Sequence, residues 1–309
     1  MEMKHGKVVR YILDPAYRWD VNSMLGLNNK VSDVEYIRKT FMYKLGYELN
    51  IEEPVFFNEK IQWLKLYNRK PEYTIMVDKY KVRQYVAQQI GEKYLIPLLG
   101  VWDTPEEIDF KDLPNQFVLK CNHNSGNGMC ICKDKTKLDI AKVKRKLRRS
   151  LKSNFYLTWR EWPYKDVPRK IIAEKFMSDG SGSDLRDYKF YCFNGIPKYC
   201  QVISNRTTAE TIDFFDMEWK LQGFTGLALQ PLPHSAVPIK RPSCYEEMQL
   251  LARKLAKSIP FVRIDFYEIE GRVYFGEITF FPASGFGEFT PREWNKKMGD
   301  MIDLSGVEP

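Results

Sequence analysis

Phe261-Val-Arg-Ile-Asp-Phe-Tyr-Glu-Ile-Glu-Gly-Arg-Val-Tyr-Phe-Gly-Glu-Ile-Thr-Phe-Phe281 reads as two strands joined by a turn. Val262, Ile264 and Phe266 alternate with Arg263, Asp265 and Tyr267, the period-two pattern of a strand with one apolar and one polar face. A second strand follows over Val273 to Phe281. A three-residue loop centred on Gly271, with glycine supplying positive φ, places Asp265 opposite Glu277 and Arg263 opposite Thr279. Like charges directly opposed on one sheet face are destabilising, so a fold that keeps them needs a compensating cation. Two compensations are open at this point. A hard divalent ion such as Mg2+ binds one or two carboxylates together with substrate phosphates; alternatively Arg263 neutralises Asp265 on a solvated face.

A second hairpin supplies a different chemistry. Phe117 to Cys121 and Met129 to Cys132 are short apolar runs flanking Asn122-His123-Asn124-Ser125-Gly126-Asn127-Gly128. Lys120 at the end of a buried strand, beside a loop rich in free backbone N–H groups, suits a polyphosphate. The loop is not a P-loop, and alone it is a weak signal. Further strands are expected over Ile171 to Phe176, which leads into Ser178-Asp179-Gly180-Ser181-Gly182-Ser183, and over Tyr188 to Phe193 and Ile196 to Ile203. The last two are joined by Asn194-Gly195, a strong hairpin signal. Helices are expected from an Asn58 N-cap through Lys70, over Tyr73 to Gln89 with Gly91 as its stop, and over Tyr245 to Lys257. Another runs from Asp139, with Ile140, Val143, Leu147 and Leu151 on one face. Ser284-Gly285-Phe286-Gly287 is either a simple loop or a boundary of a substrate site.

The chain has 309 residues, enough for two or three lobes with a cleft between them. Its net charge of +8 is concentrated: Lys133 to Arg149 holds nine Lys or Arg against Asp134 and Asp139. One helix is basic, not the whole protein, and no nucleic-acid module accompanies it, so no specific nucleic-acid binding is expected. Arg10 splits the apolar run near the start, which argues against a secretion signal. Leu221 to Ile239 is free of charge but carries Pro231, Pro233 and Pro238, and reads as a long loop instead of a membrane span. The six cysteines lack paired C-x2-C spacing and read as reduced thiols of a cytoplasmic protein. Cys121, His123, Cys130 and Cys132 make a weak zinc pattern, with buried cysteine the commoner fate.

Taken together, these motifs resemble the ATP-grasp superfamily. Asp78-Lys79 is similar to its Asp-Lys pair, Lys120 to its strand lysine, and Ser125-Gly126-Asn127-Gly128 to its phosphate flap. Glu174-Lys175-Phe176-Met177 resembles the linker that receives adenine and ribose. Asp265 and Glu277 resemble the two metal carboxylates, with Thr279 where a third ligand, usually Asn, is found. More narrowly, Asp78-Lys79-Tyr80 with Arg83, Lys120-Cys121-Asn122-His123, Asp187-Tyr188-Lys189-Phe190 and Gly276-Glu277-Ile278-Thr279-Phe280 resemble the TupA-like ATP-grasp proteins of bacterial teichuronopeptide, capsule and surface-polysaccharide genes.

The resemblance implies an α+β fold in which two antiparallel-sheet lobes grip a nucleotide. The expected division is a mostly helical region over 1–105, a small lobe with the flap over 106–180, and a large lobe with the metal site over 181–309. It implies ATP and Mg2+ (or Mn2+) as cofactors, phosphate contacts from Lys79, Lys120 and Lys189, and charge stabilisation by Arg263. Arg186 and Lys189 are placed to meet an acceptor carboxylate. The implied reaction joins a carboxylate to an amine through an acyl phosphate, on a uronic-acid-containing bacterial surface glycan or its precursor. A kinase or glycosyltransferase of capsule synthesis using the same site, or a non-catalytic anionic-polymer or nucleic-acid binder, are the alternatives. The cationic face of the basic helix is either simply solvated or a contact for an acidic glycan or the anionic inner membrane surface.

Overall fold

A computed structural model of the chain describes residues 2–126, 128–178, 185–204, 209–228 and 232–307. The first part is helical: α1 (Glu2–Leu13), α2 (Pro15–Met24), α3 (Asp33–Leu45), α4 (Phe57–Tyr67), α5 (Pro71–Val77) and α6 (Val82–Gln89). Then come β1 (Leu98–Trp102), β2 (Phe117–Cys121), β3 (Cys130–Cys132), α7 (Ile140–Lys152), α8 (Phe155–Trp159) and β4 (Ile171–Lys175). The remainder is β5 (Asp187–Phe193), β6 (Ile196–Ser204), β7 (Thr211–Phe215), β8 (Thr225–Ala228), α9 (Tyr245–Leu255), β9 (Phe261–Ile269), β10 (Arg272–Thr279), β11 (Glu288–Thr290) and α10 (Glu293–Asp300).

Two antiparallel sheets dominate, with strand orders β1-β4-β2-β3 and β10-β9-β5-β6-β7, and β8 pairs separately with β11. The expected α+β architecture of two antiparallel-sheet lobes is therefore present. The smaller sheet takes β1 from the stretch expected to be helical, pairing Val101 with Ile172. On β2 the alternation is clean: Phe117, Leu119 and Cys121 are buried with Val143 and Leu147 of α7, while Val118 and Lys120 face the cleft between the sheets. Asp139 caps α7 through Lys142 N–H at 2.9 Å, but Ile140, expected on the apolar face, is exposed.

Among the described residues, the helices of the first part have no separate core. Phe41, Phe57, Ile61 and Val86 belong to one apolar cluster with Phe190, Phe214, Phe261 and Phe266 of the large sheet. Phe57 packs edge-on against Phe261 and Phe289, with centroids 5.0 and 5.2 Å apart.

Three local expectations need correction. Asn58 is not the cap of α4; it lies inside the helix, and Glu59 caps the start by accepting from Val55 N–H and Phe56 N–H. The helix expected over Tyr73 to Gln89 breaks between α5 and α6, because the Asp78 carboxylate accepts from Tyr80 and Lys81 N–H and competes with the helical backbone pattern. The stretch from Leu221 to Ile239 is not all loop, since it contains β8; 229–231 lie outside the described residues. Cys121 and Cys132 are buried in the small-sheet core, and all six cysteines are free thiols. No helix among the described residues is long and apolar enough to cross a membrane.

Candidate active site

The opposition of Asp265 and Glu277 arises from two local features. The turn between β9 and β10 has two residues, Glu270 and Gly271, both at positive φ, instead of the expected three. That register alone would set Glu277 against Ile264 and turn it toward the core. A bulge at Gly276 adds the missing residue: Phe275 pairs with Phe266, and beyond it Glu277 pairs with Asp265 and Thr279 with Arg263. Gly276 has little room for a side chain, since a Cβ would lie 3.0 Å from the Asp265 carbonyl oxygen.

Two cations answer the opposed carboxylates. Arg263 donates to both Asp265 oxygens at 2.8 Å and its Nη2 reaches Glu277 Oε1 at 3.0 Å and Thr279 Oγ1 at 3.1 Å. Lys189, which β5 places directly beside Asp265, donates to Asp265 Oδ2 at 2.5 Å and lies 3.7 Å from Asp187. Asp265 is 2% exposed at its side chain, and Glu277 38%. Burial pushes the Asp265 carboxyl up against the pull of Arg263 and Lys189. At Glu277 burial acts in the same direction, but Lys79, Arg263, Lys189 and Lys120 outweigh it and bring the carboxyl down to about 2.

Oxygen donors facing a lysine-lined cleft are what a small hard dication takes. Glu277, ionised and accessible, fits that role, with the Thr279 hydroxyl 3.4 Å from its Oε1. Asp265 has both oxygens engaged by Arg263 and Lys189, so it joins a metal only where one of these cations yields. Lys189, expected on phosphate, is committed to carboxylates in this conformation.

The cleft, about 530 Å3, runs from Glu277 between the two sheets. Lys79, Lys120, Glu174, Lys175, Phe176 and Asp187 all border it. Asp78, 1% exposed, fixes Lys79 by its turn and by accepting from Asn122 Nδ2 at 2.8 Å; Lys79 Nζ donates to the Asn124 carbonyl at 2.6 Å. Burial lowers the Lys79 pKa, which Glu277 partly offsets. Lys120 pairs with Glu174 at 2.6 Å, and Arg83 stands 3.7 Å from the other Glu174 oxygen. Met76, Ile96, Phe176, Met177 and Ile278 add apolar lining to the same cleft. Lys175 N–H already bonds Pro97 O at 2.9 Å, leaving its exposed side chain as the part free to reach a ligand.

Other expected residues stand apart. Ser125 and Gly126 are exposed and do not border the cleft; Gly128 is buried at positive φ, where a Cβ would collide with Ser150. Asn127 and 179–184, including most of the Ser178 to Ser183 loop, lie outside the described residues. Arg186 is exposed and sits by Tyr188, on the opposite side of β5 from Asp187 and Lys189, so it is not part of the carboxylate cluster.

Several participants were not anticipated as site residues. Asp187 was legible in principle from its alternation with Lys189. Arg83 is visible in the sequence only as part of the Asp78-Lys79-Tyr80 motif. Tyr164 borders the cleft, and Glu161 and Lys65 carry no local signal, because tertiary packing alone brings them to the loop after β10. There Ala283, Ser284 and Gly285 are consecutively left-handed, with φ of 48, 52 and 69°. For the two non-glycine residues this costs on the order of 1–3 kcal/mol each. One polar stripe of α4 holds the turn: Asn58 donates to Gly285 O and Gly287 O, Gln62 to Ser284 O, and Lys65 to Ser284 O at 2.6 Å.

The profile of the family described as TupA-like ATPgrasp matches residues 59–303. No curated protein sequence matches the chain. Among solved structures, the chain is similar to D-alanine–D-alanine ligase from Bacillus anthracis complexed with ATP, at 17% identity and a TM-score of 0.41 over 74% of this chain and 63% of that one. D-alanine–D-alanine ligase from Helicobacter pylori gives 13% identity and a TM-score of 0.40 over 80% and 69%. N5-carboxyaminoimidazole synthase from Aspergillus clavatus gives 13% and 0.36 over 67% and 44%. The chain thus spans slightly less than two thirds of the Bacillus anthracis enzyme.

Proposed function

The chain belongs to the TupA-like ATP-grasp family, and from that premise we propose that it is an ATP- and Mg2+-dependent ligase joining a carboxylate to an amine through an acyl phosphate. The observation that carries this reading is Glu277, ionised opposite Asp265 at a cleft that also presents Lys79 and Lys120. Mg2+, or Mn2+ in its place, would be held by Glu277 and Asp265 beside Thr279 and supplies neutralisation of phosphate charge. Lys79 and Lys120 neutralise the nucleotide phosphates, the apolar lining receives the base, and Arg263 stabilises negative charge at the transferring group. A substrate carboxylate oxygen attacks the γ-phosphorus and ADP leaves. The neutral amine nitrogen then attacks the acyl carbon, the C–N bond forms, and phosphate departs with the former carboxylate oxygen and the bonding electron pair, while the proton lost by nitrogen passes to the phosphate or to solvent.

The proposed carboxylate is a uronic acid of a bacterial surface polysaccharide or its precursor, met in the cytoplasm. The cationic face of α7 supports an anionic substrate: Lys142, Arg145 and Arg149 are exposed and have no ion-pair partner among the described residues, whereas Arg148 pairs with Glu106. That face also suits peripheral contact with the anionic inner membrane surface.

The test is purified protein with Mg-ATP and a panel of uronic acids, amino acids and simple amines, scored for ADP, AMP or neither. ADP and phosphate formation requiring both a carboxylate and an amine is expected. A phosphorylated product formed without an amine would instead identify a kinase. Charge reversal at Lys142, Arg145 and Arg149 should weaken binding to polyuronate or anionic vesicles and leave ATP affinity unchanged.

A further inference from the structure

Outside the cleft, α1 and α2 carry an apolar surface that the fold does not use. None of the described side chains of either helix is buried, and neither helix contributes to the two apolar clusters. Val8, Ile12, Leu13, Met24, Leu25 and Leu27 are instead 60–74% exposed. Val8 and Ile12, like Val9 and Leu13, stand four residues apart, so α1 presents these side chains on one side. Single exposed apolar side chains are ordinary, but six within twenty residues mark an interaction surface.

The surface is held in place by polar contacts. Trp19 of α2 donates from Nε1 to Thr40 Oγ1 at 3.0 Å and packs against Tyr36 of α3, with centroids 5.3 Å apart. Arg18 ties α2 to α1 through Tyr11 O and Ile12 O at 3.3 and 2.8 Å, and Tyr11 donates to Asn22 Oδ1 at 2.7 Å. Beyond α2, Arg160 secures the turn by donating to Asn28 O. The charges here leave a surplus of one sign. Asp14 pairs with Arg10 and Asp20 with Lys44, so residues 6–31 hold no free acid. Lys7 and Lys30 are exposed with no ion-pair partner among the described residues, and Arg18 is bonded to carbonyls that leave its charge uncompensated.

We propose that α1 and the end of α2 seat on an anionic lipid bilayer, the exposed apolar side chains entering the headgroup boundary while Lys7 and Lys30 meet lipid phosphates. The affinity of such helices grows with the apolar area they bury and with attraction to anionic lipid, and this surface supplies both. At 12 residues α1 is too short to cross a bilayer, so it lies in the plane of the surface. A second copy of the chain fits less well. An isologous contact would set the surplus cations of the two copies against each other with no free acid between them. The surface is separate from α7, and the proposal does not rest on the ligase reading.

The experiment is co-sedimentation of the full chain with vesicles, made of phosphatidylcholine alone or mixed with phosphatidylglycerol. Wild type is expected to bind the mixed vesicles about tenfold or more tighter than the neutral ones, and to lose that margin at high salt. Leu13→Ser combined with Leu25→Ser, both at exposed positions, should weaken mixed-vesicle binding by about tenfold or more, with melting temperature and ATP affinity unchanged. Lys7→Glu combined with Lys30→Glu should weaken binding to the mixed vesicles and leave the neutral ones unaffected. A wild type that ignores both vesicles, or binds them equally, overturns the proposal, as does a serine variant that binds as the wild type does. A wild-type dimer in light scattering that the serine variant dissociates, with no vesicle binding by either protein, overturns it in favour of a second copy.

Discussion

Glu277 and Asp265 face each other across the hairpin, yet the side chains around them assign them different work. Glu277 is accessible and remains ionised down to about pH 2, so its replacement removes a ligand for metal without exposing a buried charge. Glu277→Gln is expected to weaken Mn2+ binding, followed by the spin signal of the free ion, by roughly 10–100-fold with unfolding unchanged. Asp265→Asn leaves Arg263 and Lys189 buried without their partner, and is expected to cost about 3–5 kcal/mol in urea unfolding as well. Equal stability of the two variants would contradict this division. A second residue-scale prediction concerns pH. Burial raises Glu161 to about 7 and lowers Lys65 to about 7. A raised carboxyl makes the folded state bind the extra proton, so stability falls as pH rises from about 4.5 to 7. A lowered lysine does the reverse, so stability recovers from about 7 to 10.5. Thermal melts should therefore show a shallow minimum near neutrality; Glu161→Gln should flatten its acid limb and Lys65→Met its alkaline limb.

At the scale of elements, the geometry depends on interruptions. The bulge at Gly276 returns Glu277 to the polar face after a two-residue turn, and the Asp78 turn ends the helical pattern so that Lys79 enters the cleft. Gly276→Val should crowd the Asp265 carbonyl and the Tyr267 ring, displace Glu277 and abolish tight Mn2+ binding, while β9 stays paired with β5 in hydrogen exchange. Retained Mn2+ affinity would show that the bulge does not set the site. The strands themselves were legible, because Phe261 to Phe281 and Phe117 to Cys121 alternate and Asn194-Gly195 marks a hairpin turn. The opposition of Asp265 and Glu277 was legible as a register, though it arises from a shorter turn plus a bulge whose combined offset equals that of a three-residue loop. Glu161 was not legible: its contact with Ser284 spans 123 residues, and no local pattern encodes that pairing. Arg186 precedes β5 and is exposed, apart from the Asp265–Glu277 cluster.

For the whole molecule, the cleft lies between two sheets with separate apolar clusters, and the helices of the first part join the larger one. Phe57→Ala should therefore destabilise the large sheet, by about 3–5 kcal/mol, although the residue lies more than two hundred positions before β9's end. Leu147→Ala should cost about 2–5 kcal/mol and act on the small sheet, loosening hydrogen-exchange protection in β2 before β9. Between these bodies the cleft brings Glu277, Lys79 and Lys120 together, the groups on which the proposed acyl-phosphate ligation rests. The measurement that tests this most directly follows oxygen. With a carboxylate substrate labelled with oxygen-18, Mg-ATP and an amine, the account predicts one labelled oxygen in each phosphate released alongside ADP. ADP formation with unlabelled phosphate, or release of AMP, would contradict it.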